Sequence, residues 1–405
     1  MDPRRKEALT HVGGAVTLQA SDSELGAALV RALEVTSARD EVLRHVHGFH
    51  SYPARMHPDT AGTLVRELSD SGSTVLDPFC GSGTVLVEAR LAGRRALGVD
   101  ANPLAIELSW LKSGGLSPRS EAGLLDLCER AAEHAEARRQ AKAGPTRRYG
   151  RLDRDLFDPH VLLELDGLRA GIERERAPKS LRRAAWLVLS SLLTKVSRRP
   201  GDTARRSTNR RLASGFTIHL FVARAGQLAQ QLGEFGSLLP DSALPARVRV
   251  GDARELAGIR PGSVDLVASS PPYPGIYDYT TQHATRLRWL ELDATQFLRR
   301  ELGARRRLQR LSPPEALQRW SRELGDALGA MRRVLRPSGR AALVMADSVL
   351  GGRAAYADDL LPELASRVGF SVVGRACQRR PHFHGPTSGA FRRRPRQEHL
   401  FVLGR

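Results

Sequence analysis

Cysteine is scarce: Cys80, Cys128 and Cys377 stand far apart in a chain of 405 residues. That spacing makes neither a disulfide framework nor a zinc site, and a reducing cytoplasm fits it best. Long apolar runs are missing too. The longest, AAWLVLSSLLT at 184–194, lies between Arg183 and Lys195. It is too short to span a bilayer and reads as a buried helix, so no membrane partner is expected. The opening MDPRRKEALT carries charge with no apolar run behind it, which does not match a signal peptide. No internal repeat is visible. Acids are in deficit: 44 Asp and Glu against 63 Lys and Arg leave a net charge of +19, which points to a polyanionic partner. With 41% hydrophobic residues, the chain can bury a large core and is not a disordered segment.

What is present has a rhythm. Residues 1–44 read as polar and helical, with Ser21 or Ser23 as candidate N-cap of ELGAALVRALEV. HGFHSYPARMHP (47–58) is a loop dense in His, Pro and aromatics. STVLD (73–77) then predicts a strand, followed by a Gly-rich turn and a helix from about Gly83 to Ala92. RALGVD (95–100) and NPLAIELSWLK (102–112) repeat strand and helix, the βαβα signature of a parallel doubly wound sheet. From 116 to 245 no strand pattern appears, only amphipathic helices and basic loops. Strands resume at 246–252, 264–269, 339–347, 369–376 and 398–405. The expected fold is α/β, a seven-stranded Rossmann-like sheet with a helical insertion. It divides into an N-terminal, cofactor-binding part (1–115), the insertion (116–245) and a catalytic part (246–405).

The chemistry gathers where strands end. Asp77-Pro78-Phe79-Cys80-Gly81-Ser82-Gly83-Thr84 forms the first strand-to-helix turn. Open α/β sheets bind ligands at the carboxyl ends of their strands, and glycines there let backbone approach a ligand closely. The helix N-terminus can receive an anionic group such as a carboxylate. No Gly-Lys-Ser/Thr follows, so this is not a phosphate P-loop. Asp100 ends the next strand, where an acid commonly holds ribose hydroxyls. Asp252 ends another and could reach an adenine amino group. Each feature alone also reads as a tight turn, a helix cap or a surface acid. Together, at one edge of one sheet, they point to an adenosine-containing cofactor.

ASSPPYPGIYDY (268–279) interrupts the strand VDLVAS with two prolines. Proline fixes φ and donates no hydrogen bond, so the corner is rigid and stands outside the ladder. It can present the Ser270 oxygen and the Pro271 carbonyl as acceptors, with the Tyr273 ring alongside. That suits a flat heterocycle bearing an amino group. Acceptors off the ring plane favour a pyramidal nitrogen whose lone pair attacks an electrophile. The bland alternative is a proline-rich turn closing a core strand. Tyr277, Tyr279 and His283 either shape the same pocket or start the helix QHATRLRWLEL.

DPFCGSGT followed by SPPY resembles the S-adenosylmethionine-dependent amino DNA methyltransferases, which make N4-methylcytosine or N6-methyladenine. HGFHSYPARMHP is similar to the segment that precedes the cofactor loop in part of that family, and EHLFVLGR (398–405) to its last hairpin strand. The motifs cover 47–112 and 246–290, and the middle third matches loosely. The resemblance implies S-adenosyl-L-methionine as cofactor, with Asp77, Phe79, Gly81 and Gly83 lining its methionine part, Asp100 holding the ribose and Asp252 the adenine. Tyr52, Pro53 and Arg55 would close the site, and Ser270, Pro271, Pro272 and Tyr273 would hold the target base. A leading Ser is similar to the N4-cytosine group; N6 of adenine and an RNA base amino group are the alternatives. The implied partner is double-stranded DNA, from which the base must be flipped because its amino group is paired inside the duplex.

Methyl transfer to an amine needs alignment and no covalent nucleophile. None of the three cysteines follows a proline, as the C5-cytosine methyltransferases require. Guanine-N2 tRNA methyltransferases share DPFCGSGT-like loops, but their corner usually starts with Asp, and they carry an added RNA-binding domain near the N-terminus. Only 46 residues precede HGFHSYPARM here. A missing third glycine and the SPPY corner count against a dinucleotide dehydrogenase, and intact Asp100, Asp252 and SPPY against a non-catalytic binder. The arginines of SRRPGDTARRSTNRR (197–211) and FRRRPR (391–396) are candidate phosphate contacts, and the insertion is the candidate for target recognition.

Overall fold

A computed structural model describes residues 15–20, 22–35, 42–116, 120–199, 211–380 and 385–405. The chain enters through β1 (Val16–Ala20), α1 (Ser23–Leu33) and α2 (Pro58–Leu68). β2 (Thr74–Asp77), α3 (Thr84–Leu91), β3 (Arg95–Asp100) and α4 (Pro103–Lys112) follow. The insertion contributes α5 (Glu121–Gln140), α6 (Arg151–Leu156), α7 (Pro159–Arg174), α8 (Lys179–Leu193) and α9 (Phe216–Ser237). β4 (Arg247–Val250) and β5 (Val264–Ser269) resume the sheet. Short helices α10 (Tyr279–Gln282), α11 (Ala284–Trp289), α12 (Thr295–Arg300) and α13 (Arg305–Leu308) lead to α14 (Pro313–Val334). The chain closes with β6 (Leu335–Ala346), a hairpin of β7 (Ser348–Leu350) and β8 (Arg353–Ala355), α15 (Ala357–Arg367), β9 (Ser371–Arg379) and β10 (Gln397–Gly404).

The main sheet has the order β1-β9-β10-β6-β5-β2-β3-β4. Its β4-β3-β2-β5-β6 part is parallel, and β10 inserts antiparallel between β6 and β9. All seven expected strands form. The eighth is a correction: VTLQA, in a segment that reads as helical, pairs antiparallel with β9 from Val16↔Gln378 to Ala20↔Gly374. Four of its five residues are exposed, so this edge strand shows little of the apolar alternation that marks a half-buried one. The cap of α1 is also corrected. It is Asp22, whose carboxylate accepts from the Leu25 amide at 2.7 Å, and neither serine.

Period-two alternation divides the core. Val75, Leu266, Ala342, Val344, Leu400 and Val402 face α1, α2 and α3, while Leu76, Val267, Leu343, Met345, Phe401 and Leu403 face α14 and α15. The sheet is thus covered on both sides, as its apolar strands demand. The insertion buries a cluster of its own, joined to the sheet's helices through Leu104, Leu108 and Leu111 of α4. Its α5 and α7 approach closely because Gly167 and Gly171 face Ala135 and Ala131. A Cβ at Gly171 would lie 2.7 Å from the Ala131 Cα. AAWLVLSSLLT falls in α8, and its apolar residues are buried except for a half-buried Trp186. No helix among the described residues is long and apolar enough to cross a membrane. From β2 the chain winds one way to β3 and β4, and from β5 the other way to β6. The carboxyl ends of β2 and β5 therefore mark the switch point at which such sheets open a crevice.

Candidate active site

At the switch point, Asp77 closes β2 and joins it to β5. Its carboxylate accepts from the Phe79 amide at 3.1 Å and from the Ser269 hydroxyl at 2.6 Å. Burial pushes this carboxyl up to about 7. The turn that follows needs glycine twice. Gly81 has φ 50, and a Cβ there would come within 3.2 Å of the Tyr52 ring. Gly83, at φ 88, lies against Ser109 of α4, 3.0 Å from where its Cβ would be. Asp100 closes β3 and steadies the turn. One carboxylate oxygen accepts from the Gly81 amide at 2.9 Å and the other from the Asn102 amide at 2.8 Å. Burial raises it to about 6.

The Ser270–Tyr273 corner faces this turn. The Ser270 and Tyr273 hydroxyls are 3.3 Å apart, and the Pro272 carbonyl accepts from the buried Trp320 indole at 3.0 Å. Among the described residues the Pro271 carbonyl takes no backbone hydrogen bond. Gly303 (φ 68) packs against the corner, where a Cβ would meet the Tyr273 carbonyl at 3.1 Å.

Both corners line one cavity of about 90 Å³, together with Tyr52, Phe79, Asp100 and Asp252. A second cavity, of about 320 Å³, adjoins it across Tyr52, Ala54, Ser270, Tyr273 and Tyr277, and reaches His47, Arg55, Thr84 and Glu398. The first is smaller than a usual small-molecule site, roughly 300–1,000 Å³. The shared residues form a partition between the two cavities.

The sequence-predicted residues divide accordingly. Tyr52, Phe79, Gly81, Asp100, Asp252, Ser270, Pro271, Pro272 and Tyr273 meet in the first cavity. Arg55 lies in the second, donating to the His47 carbonyl at 2.6 Å. Pro53, Asp77 and Gly83 line neither: Asp77 ties strand ends, and Gly83 lets α3 and α4 approach. Asp252 is engaged already, since Arg254 donates to it from its amide, its Nε and a terminal nitrogen at 2.9, 2.9 and 2.6 Å. Burial works to raise this carboxyl, but the Arg254 bonds outweigh burial and hold it below the usual range.

Other residues were not foreseen. Asn102 caps α4, accepting from the Leu104 amide at 3.0 Å, and its side-chain nitrogen reaches the Tyr52 hydroxyl at 3.2 Å and His283 Nδ1 at 3.0 Å. Asn before Pro at a helix start was the available signal. Of the three residues that the sequence offered as pocket or helix start, Tyr277 and Tyr279 line the cavity, whereas His283 is buried behind, 4.9 Å from the Tyr52 ring. Phe297, Arg300, Glu301 and Leu302 complete the wall. Glu301 fixes the aromatic segment by accepting from the Tyr279 amide at 2.6 Å and the Thr280 hydroxyl at 2.7 Å. The loop leading to Tyr52 is conformationally strained, with His45, His50 and Ala54 at positive φ (36, 63 and 54).

The cysteines are buried and free, and burial pushes the Cys80 thiol well up. Of 197–211, residues 200–210 lie outside the described residues; Arg198 pairs with Asp158 at 2.7 Å. In 391–396, Arg394 pairs with Asp358 and Asp359, and Arg396 donates to the Asp347 carbonyl, leaving Arg392 and Arg393 exposed without an ion pair among the described residues.

Comparison with known proteins bears on the first part of the chain. Residues 30–110 match the family model described as DNA methylase. The chain is 32% identical over 81 residues to the Type II methyltransferase M.MjaII of Methanocaldococcus jannaschii, covering 20% of this chain and 15% of that protein. It is 37% identical over 75 residues to the Type II methyltransferase M.MvaI of Kocuria varians, covering 18% and 16%. Over 58 residues it is 43% identical to a tRNA (guanine(10)-N2)-dimethyltransferase of Methanothermobacter thermautotrophicus, covering 14% and 17%. The matched part is thus less than a fifth of each relative's length. Across it, the chain resembles the amino DNA methyltransferases.

Proposed function

We propose that this protein is a DNA methyltransferase that moves the methyl group of S-adenosylmethionine to the exocyclic amino group of a flipped base, N4 of cytosine. One observation carries the reading: the Gly81 turn with Asp100 and the Ser270–Tyr273 corner form walls of one cavity. The residues fit such a cofactor. Gly81 offers backbone in a place that a Cβ would crowd, and Asp100 holds a half-buried carboxylate at the strand end. S-adenosylmethionine supplies an activated methyl group. Asp100 would hold the ribose and Phe79 and Gly81 the methionine part, with Tyr52 as the cover, oriented by Asn102. Asp252 reaches the adenine only while sharing its charge with Arg254.

The corner does the rest. Ser270 and the Pro271 carbonyl accept from the amino group and hold its nitrogen out of the ring plane. Tyr273 stacks on the base and offsets part of the few kcal/mol that flipping costs. No thiol is required, and the buried cysteines offer none. Arg55, in the adjoining cavity, would close the methionine end; Pro53 shapes the loop between. The insertion, between the two halves of the site, is our candidate for reading the target sequence.

The similarity to the tRNA dimethyltransferase supports a second reading, an RNA base as acceptor. The two are separated by incubating the protein with S-adenosylmethionine and either duplex DNA or tRNA, then digesting to nucleosides for mass spectrometry. N4-methylcytosine from DNA is the expected product. N6-methyladenine would move the acceptor base, methylguanosine from tRNA alone would move the substrate, and 5-methylcytosine would overturn the role of the corner.

A further inference from the structure

Residues 299–310, RRELGARRRLQR, hold six arginines and one acid. The fold brings them to the mouth of the site. The Gly275 amide donates to the Gly303 carbonyl at 3.1 Å, and the Arg305 amide to the carbonyl of cavity-lining Tyr277 at 3.0 Å. Three of the six serve the protein or its cavity. Arg306 pairs with Asp278 and Glu301, Arg307 pairs with Glu323 at 3.3 Å, and Arg300 lines the cavity. The others, Arg299, Arg305 and Arg310, are exposed or half-buried and have no ion pair among the described residues.

A second set is joined to the same segment through another element. The β7–β8 hairpin packs on the same segment: a Cβ at Gly275 would come within 2.9 Å of Leu350, whose strand partner is Arg353. Beyond it, Tyr356 contacts Phe391 edge to face, which brings up Arg392 and Arg393. Arg353, Arg392 and Arg393 are exposed and likewise without an ion pair among the described residues. Cations left unpaired while their neighbours are saturated suit a partner bearing regularly spaced negative charge.

Resting on the methyltransferase reading, we infer that these six arginines flank the opening as a track for the phosphodiester backbone of DNA. They would grip phosphates on either side of the nucleotide delivered to the Ser270–Tyr273 corner. Phosphate contacts set position and strength without reading sequence, so the track fixes where the strand lies and leaves base choice to other residues.

The test is binding of a fluorescent duplex of arbitrary sequence, followed by anisotropy over a series of salt concentrations. Three proteins are compared: wild type, Arg299→Gln/Arg305→Gln/Arg310→Gln, and a control, Arg247→Gln/Arg260→Gln. The control residues are exposed and sit before or at the start of β4 and β5, at the opposite edge of the sheet. The slope of log affinity against log salt should become shallower by about 2 to 3 in the triple variant, and stay within about 0.5 of wild type in the control. Calorimetric S-adenosylmethionine affinity should be equal in all three, which also shows that the variants fold. An unchanged slope in the triple variant, or an equal loss in the control, overturns the track. Wild type that binds cofactor but no DNA overturns it too. Loss of cofactor binding by wild type would instead refute the methyltransferase reading. A parallel titration with duplex RNA of the same length should bind more weakly; tighter RNA binding with the same slope loss would contradict DNA as the partner.

Discussion

At the end of β2 the chain turns on glycines, Gly81 at φ 50 and Gly83 at φ 88; at the end of β5 it turns on two prolines. The glycine turn is held from close by. Asp77 binds the Phe79 amide, and Asp100, one strand over, binds the Gly81 amide. The proline corner is held from far along the chain: the Trp320 indole binds Pro272, Gly303 packs on Tyr273, and the Arg305 amide binds Tyr277. Flexible residues are fixed by local bonds and rigid residues by remote packing. The first turn should therefore tolerate changes elsewhere, while the second should feel changes in α12 to α14. It also follows that cofactor binding and methyl transfer can be damaged separately.

The largest separation should come from Tyr273→Ala. Methyl transfer should fall at least about 100-fold, through lost stacking and alignment, while calorimetric cofactor affinity changes less than about 3-fold. Unchanged turnover would remove Tyr273 from the site. Asp100→Ala should do the reverse and weaken cofactor binding about 10-fold or more, because a charged acceptor is lost along with the Gly81 tether; equal affinity would refute the ribose role. Trp320→Phe tests the remote support. It should cost about 1 kcal/mol of stability by chemical denaturation, since it leaves the half-buried Pro272 carbonyl without its indole donor, and should slow transfer several-fold with cofactor affinity intact. If cofactor affinity falls as far as turnover, the two turns are not separable.

The effect that separates the two turns least is a pH dependence. Burial raises the Asp77 carboxyl from 3.8 to about 7. Between those values the folded protein keeps a proton that the unfolded chain has released. This contribution to stability is complete below about pH 4 and is lost as pH rises through 7. Asp77→Asn keeps an acceptor for the Phe79 amide and should flatten the decline in stability between pH 4 and 7. Asp100, raised to about 6, should leave a residual slope. An unaltered pH profile in Asp77→Asn would show that Asp77 is already ionised in the fold.

The same contrast explains what could be read from residue order. The seven strands and the glycine turn follow from local rules, because period-two alternation and glycines at strand ends act over a few residues. β1 escaped because it has one partner and a mostly exposed surface, so its five residues show little of the pattern of a half-buried strand. Asp252 was correctly placed at a strand end, yet its bond to Arg254, two residues on, is a matter of side-chain conformation that spacing does not set. Phe297, Arg300, Glu301 and Leu302 reach the cavity through backbone pairing of 303–305 with 275–277, and no local pattern announces that pairing. Pro53 and Gly83 were placed by motif alone, and neither lines either of the two cavities.

The most direct test of the shared cavity is a crystal structure with a non-reactive S-adenosylmethionine analogue bound. The expected result is an analogue lying along Gly81 and Asp100 beneath Tyr52, with its transferable end toward Ser270 and the Pro271 carbonyl and the Tyr52–Tyr273–Tyr277 partition displaced. An analogue bound elsewhere, or bound here with that end turned away from the proline corner, would contradict the account.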